Sequence, residues 1–147
     1  MRTDQHTILL IEDNPGDVRL VQESLRSKDL KYALQHCETV DDAIRLVTKY
    51  RTGDGEIPDL ILLDYNLPGG EAVSVIQAAA ANPALAGTRK AVITSSVSPR
   101  DRQDALRAGA DCFIYKPTDL DSFLSEVGNA ILKLLSQPSK QKAVSTA

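Results

Sequence analysis

The sequence predicts an α/β sandwich built on a parallel sheet, and three observations predict it. Short, unbroken apolar runs recur along the chain: Ile8-Leu9-Leu10-Ile11, Leu60-Ile61-Leu62-Leu63 and Ala91-Val92-Ile93. Each ends in a charged or hydroxyl residue, and helical signals fall between them. Runs this short and uniform suit strands covered on both faces, where alternation has no polar side to display. Strands separated by helices imply right-handed crossovers and a sheet with a helical layer on each face.

The first apolar run is followed by Asn14-Pro15, an N-cap with proline at the first helical position, and then by Val18, Val21 and Leu25 at helical spacing. Tyr32 to Cys37 is a weaker strand. Thr39 caps a helix carrying Ala43, Ile44 and Val47, with Asp42 in its first turn. After the second apolar run, residues 71–82 are helical by composition and Pro83 stops them. Ser98-Pro99 repeats the cap-proline start after the third run, and Gly109 is a natural C-cap. Cys112 to Tyr115 is the fifth strand. Thr118, with Asp121 three residues on, opens a last helix whose Leu120, Phe123, Leu124, Val127, Ile131 and Leu134 form one apolar stripe. Gly128 inside that stripe costs about 1 kcal/mol of helix propensity against Ala. Five β-α units therefore fill residues 6–136 as one domain, and residues 137–147 lose periodicity and read as a loose tail.

With 147 residues, 42% of them hydrophobic, the chain can bury a core without staples. Seventeen basic against twenty acidic residues leave a net charge of −3, which argues against nucleic-acid binding. Cys37 and Cys112 read as buried, inert thiols. No signal peptide or membrane-length apolar run is visible, so a cytoplasmic location is expected.

In an open α/β sheet, ligands bind beyond the carboxyl ends of the strands, so the strand-ending residues are the candidates for chemistry. They are Glu12-Asp13, Asp64, Thr94-Ser95-Ser96 and Lys116-Pro117. Unit like charges 4 Å apart repel by about 4 kcal/mol at an effective dielectric of 20, so three gathered carboxylates need raised pKa values or a cation. Oxygen ligands with room for waters suit Mg²⁺, which lets an anionic phosphoryl group approach a carboxylate. Lys116 and Thr94 can meet further oxygens, and the central Asp64 is the natural nucleophile for an aspartyl phosphate.

These motifs resemble the receiver domains of bacterial two-component response regulators. The resemblance covers about residues 6–136 and rests on Ile11-Glu12-Asp13-Asn14, Leu62-Leu63-Asp64-Tyr65-Asn66-Leu67-Pro68, Ile93-Thr94-Ser95, Gly109-Ala110 and Tyr115-Lys116-Pro117. It implies a flavodoxin-like (βα)₅ three-layer sandwich with strand order 2-1-3-4-5. It further implies that Asp64 is the phosphoacceptor, that Asp13, Asp64 and the Asn66 backbone carbonyl bind Mg²⁺, and that Glu12 does so through water. Lys116 and Thr94 would hold phosphoryl oxygens, the Lys116-Pro117 bond would be cis, Asn66 and Ser96 would tune the acyl-phosphate lifetime, and Phe113 would be the family's rotating aromatic. The implied protein is a phosphoacceptor rather than an enzyme. It takes its phosphoryl group from a sensor histidine kinase and switches the face of the fourth helix, fifth strand and fifth helix for a downstream partner or a homodimer.

The run Ile11-Glu12-Asp13-Asn14-Pro15-Gly16-Asp17 looks most like stand-alone receivers paired with phytochrome-type histidine kinases. One departure is that Gly69-Gly70-Glu71 follows Pro68 directly, a shortened loop ahead of the third helix. Two rival readings remain: a flavodoxin-like binding module, which lacks its phosphate loop here, and a phosphorylation-independent scaffold on the same fold. Eleven tail residues are too few for a helix-turn-helix.

Overall fold

In the computed structural model, which describes residues 5–53 and 56–136, five parallel strands lie in the order β2-β1-β3-β4-β5. They are β1 (His6–Ile11), β2 (Tyr32–Cys37), β3 (Leu60–Asp64), β4 (Arg89–Thr94) and β5 (Cys112–Tyr115). The helices between them are α1 (Pro15–Ser27), α2 (Val40–Lys49), α3 (Ala72–Ala81) and α4 (Pro99–Ala108), with a short 3₁₀ turn at Pro83–Leu85. The chain closes on α5 (Leu120–Ser122), a π-helical turn at Phe123–Val127 and α6 (Gly128–Ser136). The expected tail, 137–147, lies outside the described residues.

Strand alternation splits the core into two layers. Leu9, Ile11, Ile61, Leu63 and Val92 meet Ala43, Val47, Val75 and Ile76 of α2 and α3 on one face. Ile8, Leu10, Leu60, Leu62 and Ile93 meet Val21, Leu25, Phe123 and Ile131 on the other. Every residue of β3 is buried, as its unbroken apolar run requires of the central strand. Each buried Leu or Ile contributes about 2 kcal/mol relative to exposure. Among the described residues no helix is long and apolar enough to cross a membrane.

Local chemistry sets the helix starts. Asn14 Oδ1 accepts from the Gly16 and Asp17 amides, Thr39 Oγ1 from Asp42, and Ser98 Oγ from Asp101. Gly109 ends α4 at φ +126, where a Cβ would stand 3.1 Å from that of Ala80. At the last helix, however, Asp119 rather than Thr118 is the cap, because its carboxylate reaches the Ser122 amide at 3.0 Å. Gly128 is also more than a propensity cost. Its Cβ would stand 3.0 Å from the Ser24 carbonyl, so glycine is what lets the final helix lie against α1. After Pro68 the chain turns through Gly69 at φ +83, and Glu71 occupies the α3 cap position without a side-chain cap bond.

Candidate functional site

The carboxyl ends of β1, β3, β4 and β5 lie side by side through their parallel register: Ile11 pairs with Leu63, Asp64 with Ile93, and Thr94 with Tyr115. The residues that end these strands therefore share one rim. Asp64 is 6% exposed, with Oδ1 accepting from the Asn66 amide at 2.9 Å and Oδ2 from Lys116 Nζ at 3.0 Å. Glu12 is buried, its Oε2 2.9 Å from Lys116 Nζ and its Oε1 accepting from the Asn14 amide. The Glu12 carbonyl in turn accepts from His36 Nε2 at 2.8 Å, tying the end of β2 to the same turn.

Lys116 makes a third contact that the strand-end logic did not anticipate. Asp17, in the first turn of α1, brings Oδ2 to 2.7 Å from Lys116 Nζ. Glu12, Asp17 and Asp64 each offer an oxygen within 4.8 Å of the others. Asp13 stands outside this group. It is exposed, and among the described residues no hydrogen bond or ion pair engages its carboxylate. The only sequence signal for Asp17 was an acid in a helix's first turn, a placement that the helix dipole alone favours.

Charge in this pocket is strongly coupled. Burial pushes the Glu12 carboxyl up to about 7, helped by the hydrogen bond and charge of Asp64 and opposed by Lys116. Burial works to lower the Lys116 ammonium, but hydrogen bonds to Asp17 and Glu12 and the charge of Asp64 outweigh it and raise the group above its ordinary value. Three carboxylates facing one ammonium leave a negative surplus, and an all-oxygen donor set of this kind fits a hard divalent cation.

The hydroxyl side of the rim is also assembled. Thr94 is fully buried, and its Oγ1 accepts from the Ser96 amide at 3.0 Å and from Asn66 Nδ2 at 3.3 Å. Ser96 donates its own hydroxyl to Asp101 at 2.8 Å, linking the β4 end to α4. Phe113, half-buried behind this loop, packs edge-on to Tyr65 with ring centroids 6.2 Å apart. A cleft of about 770 Å³ opens beside them between α3 and α4. The Lys116-Pro117 bond differs from expectation. Among the described residues no peptide is cis. The trans form, which X–Pro bonds favour by about 0.5–1 kcal/mol, already lets the Lys116 amide extend the ladder to the Thr94 carbonyl at 2.7 Å while its ammonium meets three acids.

Residues 8–128 match the model of the response regulator receiver domain. The chain belongs to that family. This receiver is 30% identical over 123 residues to response regulator Rcp1 of Synechocystis, covering 82% of each chain. Its fold matches the crystal structure of the phosphorylated cyanobacterial phytochrome response regulator RcpA, with a TM-score of 0.79, 26% identity and coverage of 90% and 95% of the two chains. The Mn²⁺-bound form of Rcp1 matches with a TM-score of 0.77 and 26% identity, over 91% of the receiver and 97% of Rcp1. The receiver is thus a response-regulator signalling domain with the order 2-1-3-4-5 and an acidic pocket at its strand ends.

Proposed function

We propose that this response-regulator receiver takes a phosphoryl group from a sensor histidine kinase onto Asp64. The observation that carries this is the setting of Asp64: buried at the end of the central strand, one oxygen held by a backbone amide and the other on the Lys116 ammonium. In the reaction an Asp64 oxygen forms a bond to phosphorus as the donor's own bond to phosphorus breaks. The departing group keeps that electron pair, and a phosphohistidine protonated on its other ring nitrogen leaves as neutral imidazole. Water later attacks phosphorus as the bond between phosphorus and the Asp64 oxygen breaks; the carboxylate keeps the electron pair, and water's proton leaves with or from the inorganic phosphate.

Asp64, Asp13 and the Asn66 carbonyl would hold Mg²⁺, with Glu12 contributing through water. When bound, the ion neutralises charge between the carboxylates and the incoming phosphoryl oxygens. Lys116 donates to one phosphoryl oxygen and the Thr94 hydroxyl to another, charge-assisted bonds of the strong kind. For Thr94 to do so, its loop gives up the present contact with Asn66 and moves inward, and Phe113 turns toward the space vacated. Asn66 and Ser96, which hold that loop, set how long the acyl phosphate survives.

Two features support a switch at the face of α4, β5 and α5. Helix α4 buries only Ala105, so shifting it sacrifices little apolar contact. Leu106, Tyr115 and Leu120, carried by those elements, are exposed and available to a downstream protein or a second copy. Similarity to Rcp1 and RcpA supports a phytochrome-type kinase as the phosphoryl donor and a role in light signalling. The test is phosphotransfer from an autophosphorylated phytochrome-type kinase carrying labelled phosphate. Label should pass to the wild-type chain and not to Asp64→Asn, and labelling of Asp64→Asn at the wild-type level would refute the assignment.

A further inference from the structure

Resting on that reading, the geometry points to Asp17 as a positioning residue that restrains Lys116 and competes with the phosphoryl group for it. An ammonium has three N–H donors, and in Lys116 all three are taken: by Glu12 at 2.9 Å, Asp17 at 2.7 Å and Asp64 at 3.0 Å. A phosphoryl oxygen approaching Asp64 finds no free donor on Lys116, and it meets a further carboxylate, since the Asp17 and Asp64 oxygens lie within 4.8 Å.

The three acids are not equally able to let go. Glu12 is 1% exposed and its second oxygen is engaged by the Asn14 amide, so releasing the ammonium would strand a buried charge. Asp64 is the acceptor itself. The Asp17 side chain is 27% exposed, and water can replace the lysine at small cost. Asp17 is therefore the arm that yields. Its position is built by the preceding turn, since Asn14 Oδ1 caps both the Gly16 and Asp17 amides and a Cβ on Gly16 would stand 3.1 Å from that oxygen. The run Asn14-Pro15-Gly16-Asp17 thus sets a carboxylate against the ammonium as well as starting a helix.

Removing this charge has opposite consequences for the two ligands of the site. A cation loses one neighbouring carboxylate, whereas a phosphoryl group gains a freed ammonium and loses a like charge. A merely structural role would weaken both. The experiment is a pair of titrations on Asp17→Asn, and on Asp17→Ser as a second variant that also suits a helix's first turn. Backbone amide shifts are followed first with Mg²⁺ alone, then with beryllofluoride at saturating Mg²⁺. Both variants should bind Mg²⁺ more weakly than wild type and beryllofluoride about fivefold more tightly, the scale of one partly exposed ion pair. If wild type binds beryllofluoride and the variants bind it equally or less well, Asp17 is not a competitor, and the phosphoacceptor reading stands. If wild type itself gives no beryllofluoride response, that reading falls and the role of Asp17 falls with it.

Discussion

Replacing Lys116 by Met keeps a side chain of similar length and removes the one cation that, among the described residues, faces Glu12, Asp17 and Asp64. Glu12 and Asp64 are both buried, and oxygens up to 4.8 Å apart repel by about 3 kcal/mol at an effective dielectric of 20. That agrees with the roughly 3–5 kcal/mol found when one partner of a buried ion pair is deleted. The cost depends on pH in a definite direction. Burial already raises Glu12 from 4.5 to about 7, so its contribution to stability is complete below 4.5 and is lost as pH climbs through 7. Without the lysine that loss deepens and extends to higher pH. In urea unfolding without divalent ions, Lys116→Met should therefore lose about 3 kcal/mol at pH 8.5, a midpoint lowered by roughly 1.5 M. At pH 6, where Glu12 can hold a proton, the loss should be smaller. Adding Asp64→Asn to the variant should restore more than about 1 kcal/mol through the coupling of neighbouring sites. A midpoint shift below about 0.5 M at pH 8.5, or an equal shift at both pH values, would refute the electrostatic reasoning.

Asn14→Ala removes the cap on the Gly16 and Asp17 amides and should cost about 1 kcal/mol in the same assay. Gly128→Ala improves helix propensity, yet its methyl would crowd the Ser24 carbonyl at 3.0 Å, so the thermal midpoint should fall by about 4 °C rather than rise. Burial pushes the Cys37 thiol up to about 11, from 9.0. Its thiolate fraction at pH 8 is then about a hundredfold below that of an unperturbed thiol, and iodoacetamide should modify it correspondingly slowly until urea unfolds the chain. The stability that this thiol contributes is present below about 9 and is lost as pH rises through 11.

The strands and the starts of α1, α2 and α4 were legible in the sequence because their causes are local. A central strand buried on both faces must be apolar throughout, as Leu60 to Leu63 are, and caps such as Asn14, Thr39 and Ser98 act within three residues of themselves. The convergence of Glu12, Asp64, Thr94 and Lys116 followed from one rule about strand ends. What escaped the sequence depends on how elements cross. Asp17 meets Lys116 only because α1 starts over the ends of β1 and β3, and nothing in a first-turn acid announces a partner 99 residues away. Adjacent Glu12 and Asp13 could not be told apart by composition. The turn that binds Glu12 to the Asn14 amide leaves Asp13 exposed. Gly128 reads as a flaw in a helix until α1 is seen against it, and the π turn at Phe123–Val127 has no residue pattern to betray it.

The claim that Asp64 accepts phosphorus in an acid pocket that needs a divalent ion is tested most directly by the intact mass of the protein after incubation with acetyl phosphate. An Asp64 oxygen takes the phosphoryl group and acetate leaves with the electron pair, so wild type with Mg²⁺ should gain the mass of one phosphoryl group. Asp64→Asn, and wild type with a chelator, should gain none. An unmodified wild type, or an adduct that survives in Asp64→Asn or with the chelator, would contradict the account.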